Sequence, residues 1–209
     1  MGNMIKVGMA DLNVCRYPDN LTTLGLGSCI GACIYDPVTK IIGMVHYMLP
    51  DSTQIRNNQN IAKFGDTGIA ETVSRMEKMG ASRSRMVAKI AGGAQMFATS
   101  AGAGGITMKV GEKNAESAKV NFKKLGIRIV AEDTGLTYGR TIEFYSEDGS
   151  LLIKAVGKEQ KRIWDMLMSV LNAISEIGGA MTMSEFHHLF TAVIKQITYS
   201  IPPQTLDGI

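Results

Sequence analysis

Cys29 and His46 are the two residues whose types and spacing carry the most legible chemistry in this chain. A thiolate is a strong nucleophile, but a free thiol with a pKa of about 8.5 is mostly protonated at neutral pH. A neighbouring imidazole that takes the proton turns the pair into a catalytic unit. The other two histidines, His187 and His188, are adjacent to each other and far along the chain, so His46 has no rival of its type in the main segment.

The elements that would have to position this pair can be read from the sequence. Cys29 ends the run Thr22-Thr23-Leu24-Gly25-Leu26-Gly27-Ser28-Cys29, read here as a glycine-containing loop that holds the thiol open to substrate. Turn residues at Asp36-Pro37-Val38-Thr39-Lys40 separate two strand-like stretches, Cys29 to Tyr35 and Ile41 to Leu49. A hairpin centred near Val38 sets Cys29 opposite a residue next to His46, close enough for a thiol and an imidazole to interact. A one-residue slip would reverse the face, and a satisfied core histidine on an apolar strand is the competing fate for His46. Free cysteines are commonly buried as small hydrophobes, which is the reading given to Cys15 and Cys33. A third group should orient the imidazole. Thr23 and Ser28 are nearby in sequence and carboxylates are scarce there, so a hydroxyl is the expected partner.

Around this hairpin, strand-like and helix-like stretches alternate, which predicts a mixed sheet covered by helices. Further strands are expected at Ile5 to Ala10, Met86 to Ala91, Ile127 to Ala131, Arg140 to Tyr145 and Leu151 to Val156, the last two joined by a turn at Glu147-Asp148-Gly149-Ser150. Helices are expected at Ile61 to Met79, with Ile69, Val73 and Met76 on one face, and at Glu112 to Leu125, with Ala115, Ala118, Phe122 and Leu125 on another. Gly80 and Gly126 would cap them. The pieces Ala91-Gly92-Gly93-Ala94 and Ala101 to Gly105 match neither a P-loop nor a dinucleotide fingerprint and are read as turns. Beyond a boundary near residue 161, an amphipathic stripe from Ile163 to Ile177 and a second stretch from Ser184 to Lys195 predict a helical extension, giving segments 1–161 and 162–209.

Composition narrows the classes. The 209 residues are 45% hydrophobic and 20% charged, as in an ordinary soluble protein, and the net charge of +3 is dispersed, so no nucleic-acid footprint is expected. The chain has neither a signal-peptide pattern nor an apolar run of about 18 residues, and a cytoplasmic location is expected. Three cysteines cannot all pair with one another. No zinc spacing is present, and neither a metal nor a cofactor is expected.

At the same residues the sequence resembles the CheD family of chemoreceptor glutamine deamidases over roughly residues 4 to 163. The resemblance runs through Thr23 to Cys29, His46-Tyr47-Met48-Leu49-Pro50-Asp51-Ser52, Ala91-Gly92-Gly93-Ala94-Gln95-Met96-Phe97, Ala131-Glu132-Asp133 and Gly139-Arg140-Thr141-Ile142-Glu143-Phe144. It implies an α+β fold, a mixed β-sheet sandwich flanked by helices, and a catalytic Cys and His at Cys29 and His46 with a supporting Thr at Thr23. It implies hydrolysis of glutamine side chains on methyl-accepting chemotaxis receptors, through a thioester and with release of ammonia. A CheC-type phosphatase is the implied partner. Two other readings compete, a regulatory CheC-binding module with little turnover and a receptor methylesterase. The extension departs from the family. Glu176-Ile177-Gly178 and Ser200-Ile201-Pro202 are weakly similar to the ends of a CheC phosphatase motif, but Gly179 stands where that motif has Asn. The stripe at 163–177 is expected to cover a patch of its own domain or to mediate self-association.

Overall fold

In the computed structural model the chain divides into two compact units, Met1–Asp165 and Met166–Ile209. Residues 2–56, 58–95 and 109–163 are described, all within the first unit. The expected helical extension and the Ala101 to Gly105 turn lie outside the described residues.

The fold is α+β, and the described residues form two mixed five-stranded sheets and two α-helices. The strands are β1 (Met4–Lys6), β2 (Asp11–Arg16), β3 (Asn20–Leu26), β4 (Ile30–Asp36), β5 (Ile41–Tyr47), β6 (Val87–Gly92), β7 (Arg128–Thr134), β8 (Arg140–Phe144), β9 (Leu151–Lys154) and β10 (Lys161–Ile163). One sheet runs β1-β3-β8-β9-β10 and the other β2-β5-β4-β6-β7. Among the described strands, β1 with β3 and β6 with β7 pair in parallel and the other pairs are antiparallel.

The central strands β4 and β5 are buried at every position, because both faces of their sheet are covered. Ile30, Ala32, Ile34, Ile41, Val45 and Tyr47 point to the helical side, where they meet α1 (Gly65–Lys78) through Ile69, Val73 and Met76 and α2 (Val110–Lys124) through Ala118 and Phe122. The alternate residues Cys33, Tyr35, Ile42 and Met44 face the other sheet and pack on Leu21, Leu26, Ile142, Phe144, Leu151 and Ile153. His46 shares this second parity and therefore lies between the sheets.

Both helices carry their predicted apolar stripes inward, and Gly80 (φ +103°) and Gly126 (φ +69°) end them in the left-handed region. The first starts later than expected. Ile61–Lys63 forms a 3-10 turn and Phe64 is extended (φ −120°, ψ 145°), so the α-helix begins at Gly65. Strands β2 and β3 were not anticipated. The expected strand Ile5 to Ala10 is interrupted by a turn in which Ala10 has φ 54°, and the chain resumes as β2. The segment read as an open loop is largely β3, whose Thr and Leu residues suit a pleated, half-buried surface. The loop persists only at Gly27–Cys29, between β3 and β4, and within β3 a register shift between Thr23 and Leu26 accompanies Gly25 at φ +73°. β10 extends the sheet to Ile163, so pairing continues two residues past the expected boundary at 161.

Candidate active site

The two hairpin strands pair with Ile30 opposite Tyr47 and Gly31 opposite His46. Cys29 precedes Gly31 by two residues, so it lies diagonally from His46 on the same face, in the layer between the sheets. A hairpin centred on Val38 would have set Cys29 opposite Tyr47; the observed register is one residue different and brings Cys29 into line with Met48, on the same face as His46. Diagonal positions have Cβ atoms about 7–8 Å apart in a regular ladder, within reach of longer side chains. On β4 the residue directly opposite His46 carries no side chain, whereas on β2 His46 is paired with Asp11. A Cβ on Gly31 would come within 2.6 Å of Ile142 Cδ1 and 3.0 Å of Leu26 Cδ1, so the facing sheet requires glycine at this point.

Thr23 reaches His46 from the other sheet. Its Oγ1 and the imidazole Nδ1 share a hydrogen bond of 2.7 Å, and both residues are fully buried. Of Thr23 and Ser28, the two hydroxyls considered from sequence, Thr23 is the one bonded to the ring. Nε2 of His46 is buried with no partner among the described residues. A neutral imidazole has one N–H and one lone-pair nitrogen. If Nδ1–H donates to Thr23, then Nε2 is the basic nitrogen, and it is the one left unoccupied.

Burial dominates the electrostatics. Removing the imidazole from water disfavours its cation and brings the His46 pKa down to about 4. Burial likewise pushes the Cys29 thiol up, only partly offset by a backbone hydrogen bond. Cys29 is 8% exposed, so it is not the open thiol that the loop reading implied. Both shifts favour the uncharged forms, a protonated thiol and an unprotonated imidazole. Burial also raises Cys15, to about 12, and raises Cys33, which is wholly enclosed.

The segment Ala91-Gly92-Gly93-Ala94, read as a turn, supports the cysteine. Gly93 N–H donates to the Cys29 carbonyl and Ala94 N–H to the Gly27 carbonyl, each at 2.8 Å. Gly92 has φ +114°, and a Cβ there would fall 2.2 Å from the Cys29 carbonyl oxygen, so only glycine fits. The available signal was the adjacent glycine pair at the end of a strand. A groove of about 330 Å³ beside this support is lined by Gly93, Gln95, Glu112, Lys119 and Thr134, and includes neither Cys29 nor His46. The motif residues Asp133 and Arg140 form an ion pair with each other. Arg140 Nε donates to Asp133 Oδ1 at 2.7 Å, joining β8 of one sheet to β7 of the other beside Leu26, which pairs with Arg140. Among the described residues no cluster of His, Cys, Asp and Glu has the makings of a metal site.

Residues 48–155 match the family described as CheD chemotactic sensory transduction. The chain is 63% identical over 163 residues to a probable chemoreceptor glutamine deamidase CheD of Lachnoclostridium phytofermentans, covering 78% of this chain and 100% of that protein. It is 52% identical to a protein of the same description from Caldanaerobacter subterraneus subsp. tengcongensis, covering 77% of this chain and 98% of the relative. A chemoreceptor glutamine deamidase CheD of Halalkalibacterium halodurans is 45% identical over 78% of this chain and 100% of its own length.

Proposed function

The chain belongs to the CheD family, and we propose on that premise that it is a chemoreceptor glutamine deamidase in which Cys29 is the nucleophile, His46 the general base and Thr23 the residue that orients the imidazole. The observation that carries the site assignment is the buried bond from Thr23 to His46 Nδ1, which leaves Nε2 unpartnered on the face it shares with Cys29.

In this mechanism the amide of a receptor glutamine enters beside Cys29. Because both groups rest neutral, Nε2 takes the thiol proton as Sγ attacks the amide carbon, so charge appears only along the reaction coordinate. The carbonyl oxygen becomes an oxyanion, for which backbone N–H groups near Cys29 are the proposed donors. The imidazolium passes its proton to the nitrogen, ammonia leaves, and a thioester remains. Water then attacks the thioester with Nε2 as base, releasing glutamate and restoring the thiol. During both steps the Thr23 hydroxyl accepts from Nδ1–H and stabilises the imidazolium.

The finer assignments follow from the same reading. A cytoplasmic location gives access to the signalling portions of receptors, and among the described residues no helix is long and apolar enough to cross a membrane. A CheC-type phosphatase as regulatory partner rests on the family resemblance. Residues 1–161 as the deamidase domain, and self-association through residues 163–177, rest on the apolar stripe in the sequence.

The test is intact-mass analysis of a purified receptor after incubation with the protein and with Cys29→Ala and His46→Ala variants. The expected result is the mass gain of amide-to-acid conversion with the natural sequence and none with either variant. Loss of a methylene equivalent would assign a methylesterase instead. No change on any receptor of the same organism would leave a binding module.

A further inference from the structure

The β4–β5 ladder ends at Ile30 and Tyr47, so neither Ser28 and Cys29 on one side nor Met48 on the other is held by strand pairing. A side chain takes over where the ladder stops. Asn114, on the first turns of α2, is fully buried, and its amide nitrogen donates at 2.9 Å to the Ser28 carbonyl and at 2.8 Å to the Met48 carbonyl. Ser28 adjoins Cys29, and Met48 follows His46 by two residues.

The two N–H bonds of one planar amide diverge at a fixed angle, so both carbonyls are held in one geometry. Reversing the amide would set its oxygen against two carbonyl oxygens, which fixes its orientation. Asn114 Oδ1 is buried without a partner among the described residues, a desolvation cost that an apolar residue at this place would avoid. The helix turn that carries the amide is itself anchored, since the Tyr47 hydroxyl donates to the Asn114 carbonyl at 2.6 Å. The glycine pair at Gly92 and Gly93 holds the Cys29 backbone from the neighbouring strand, and Asn114 spans from that same backbone to the strand that bears His46.

We propose that Asn114 is a positioning residue for the reaction, setting the spacing of Cys29 and His46 by bridging the Ser28 and Met48 carbonyls. This rests on the Cys29–His46 reading above. Without the bridge the fold can persist on its ladder and core, but the nucleophile and base lose their common reference. Catalysis by a neutral pair needs proton transfer within a short, aligned contact, so a displacement on the order of 1 Å is enough to cost up to about a hundredfold in rate.

The experiment compares Asn114→Ala and the isosteric Asn114→Asp with Phe122→Leu, a change in the same helix that trims its buried core face without touching the bridge. Receptor deamidation is measured as kcat and KM, Cys29 alkylation by iodoacetamide is followed against pH, and melting temperature reports the fold. Both Asn114 variants are expected to lose about tenfold or more in kcat with KM little changed and to show an altered alkylation profile, since misplacement acts on the reacting pair. Phe122→Leu should lower the melting temperature while keeping kcat and the profile. If Asn114→Ala does not fold, Asn114→Asp carries the comparison alone. Asn114 variants that keep natural kcat and alkylation, or a Phe122→Leu variant that loses as much kcat for an equal fall in melting temperature, would overturn the proposal. If instead the natural protein deamidates receptor equally well without Cys29, it is the Cys29–His46 reading that has failed.

Discussion

Replacing Thr23 with valine isolates the role of the buried hydroxyl, because the two side chains have the same shape and Thr23 Oγ1 has His46 Nδ1 as its partner at 2.7 Å. The change leaves both imidazole nitrogens without partners in a fully buried site. An unsatisfied buried group costs about 1–3 kcal/mol, so the variant should lose that much stability in chemical denaturation. The effect on the reaction is separate. The imidazolium formed as the thiol is deprotonated loses a charge-assisted bond worth about 1.5–3 kcal/mol, and at 1.36 kcal/mol per tenfold this lowers kcat by about 10- to 100-fold. Thr23 lies in the buried layer behind the ring, so KM for receptor should change little. Ammonia release under saturating receptor, at a temperature where the variant remains folded, is the assay. A Thr23→Val enzyme within about twofold of the natural kcat would refute the claim that this bond supports the base.

Stability should fall with acid in two stages. His46 has its folded pKa depressed to about 4 by burial against about 6.5 unfolded, so its contribution is present above pH 6.5 and lost as pH falls to 4, a change of roughly 3 kcal/mol. Asp36 is fully buried, and although burial alone would raise its pKa, two bonds from Arg85 and one from Ser82 N–H outweigh it and hold the carboxyl at about 2. Its contribution, at most about 2 kcal/mol and reduced by solvent at the partly exposed Arg85, is present above pH 4 and lost towards pH 2, and Asp36→Asn should remove that second stage in denaturant titrations. Alkylation of Cys29 should rise steadily with pH through the alkaline range, since burial raises the thiol; a plateau near neutrality would indicate a preformed thiolate–imidazolium pair. Gly92→Ala should lower both stability, by about 1–3 kcal/mol, and kcat, because the new Cβ meets the Cys29 carbonyl; unchanged denaturation and turnover would contradict the close approach. A chain cut after Ile163, which keeps β10, should remain folded and active with an altered oligomeric state, as read by light scattering; failure to fold would make the later residues part of the core.

Several features of this protein follow from the sequence alone, because local rules suffice for them. The stripe Ile69, Val73 and Met76, the capping glycines Gly80 and Gly126, and the two hairpin turns depend on helical period and turn chemistry within a few residues. Cys29 and His46 stood out for the same reason, as reactive types on either side of one predicted turn. Tertiary structure decided what depends on distant partners. Strand β3 was hidden because Gly25 within it and Gly27 just after it argue for a loop, and only its pairing with β1 and β8 makes it a strand that brings Thr23 under the imidazole. The paired glycines at Gly92 and Gly93 carry no sign of what they support until Cys29 is seen against them. The surroundings of the thiol were likewise decided by packing, since the burial between two sheets that pushes its pKa up is a property of the packed layers and of no single segment.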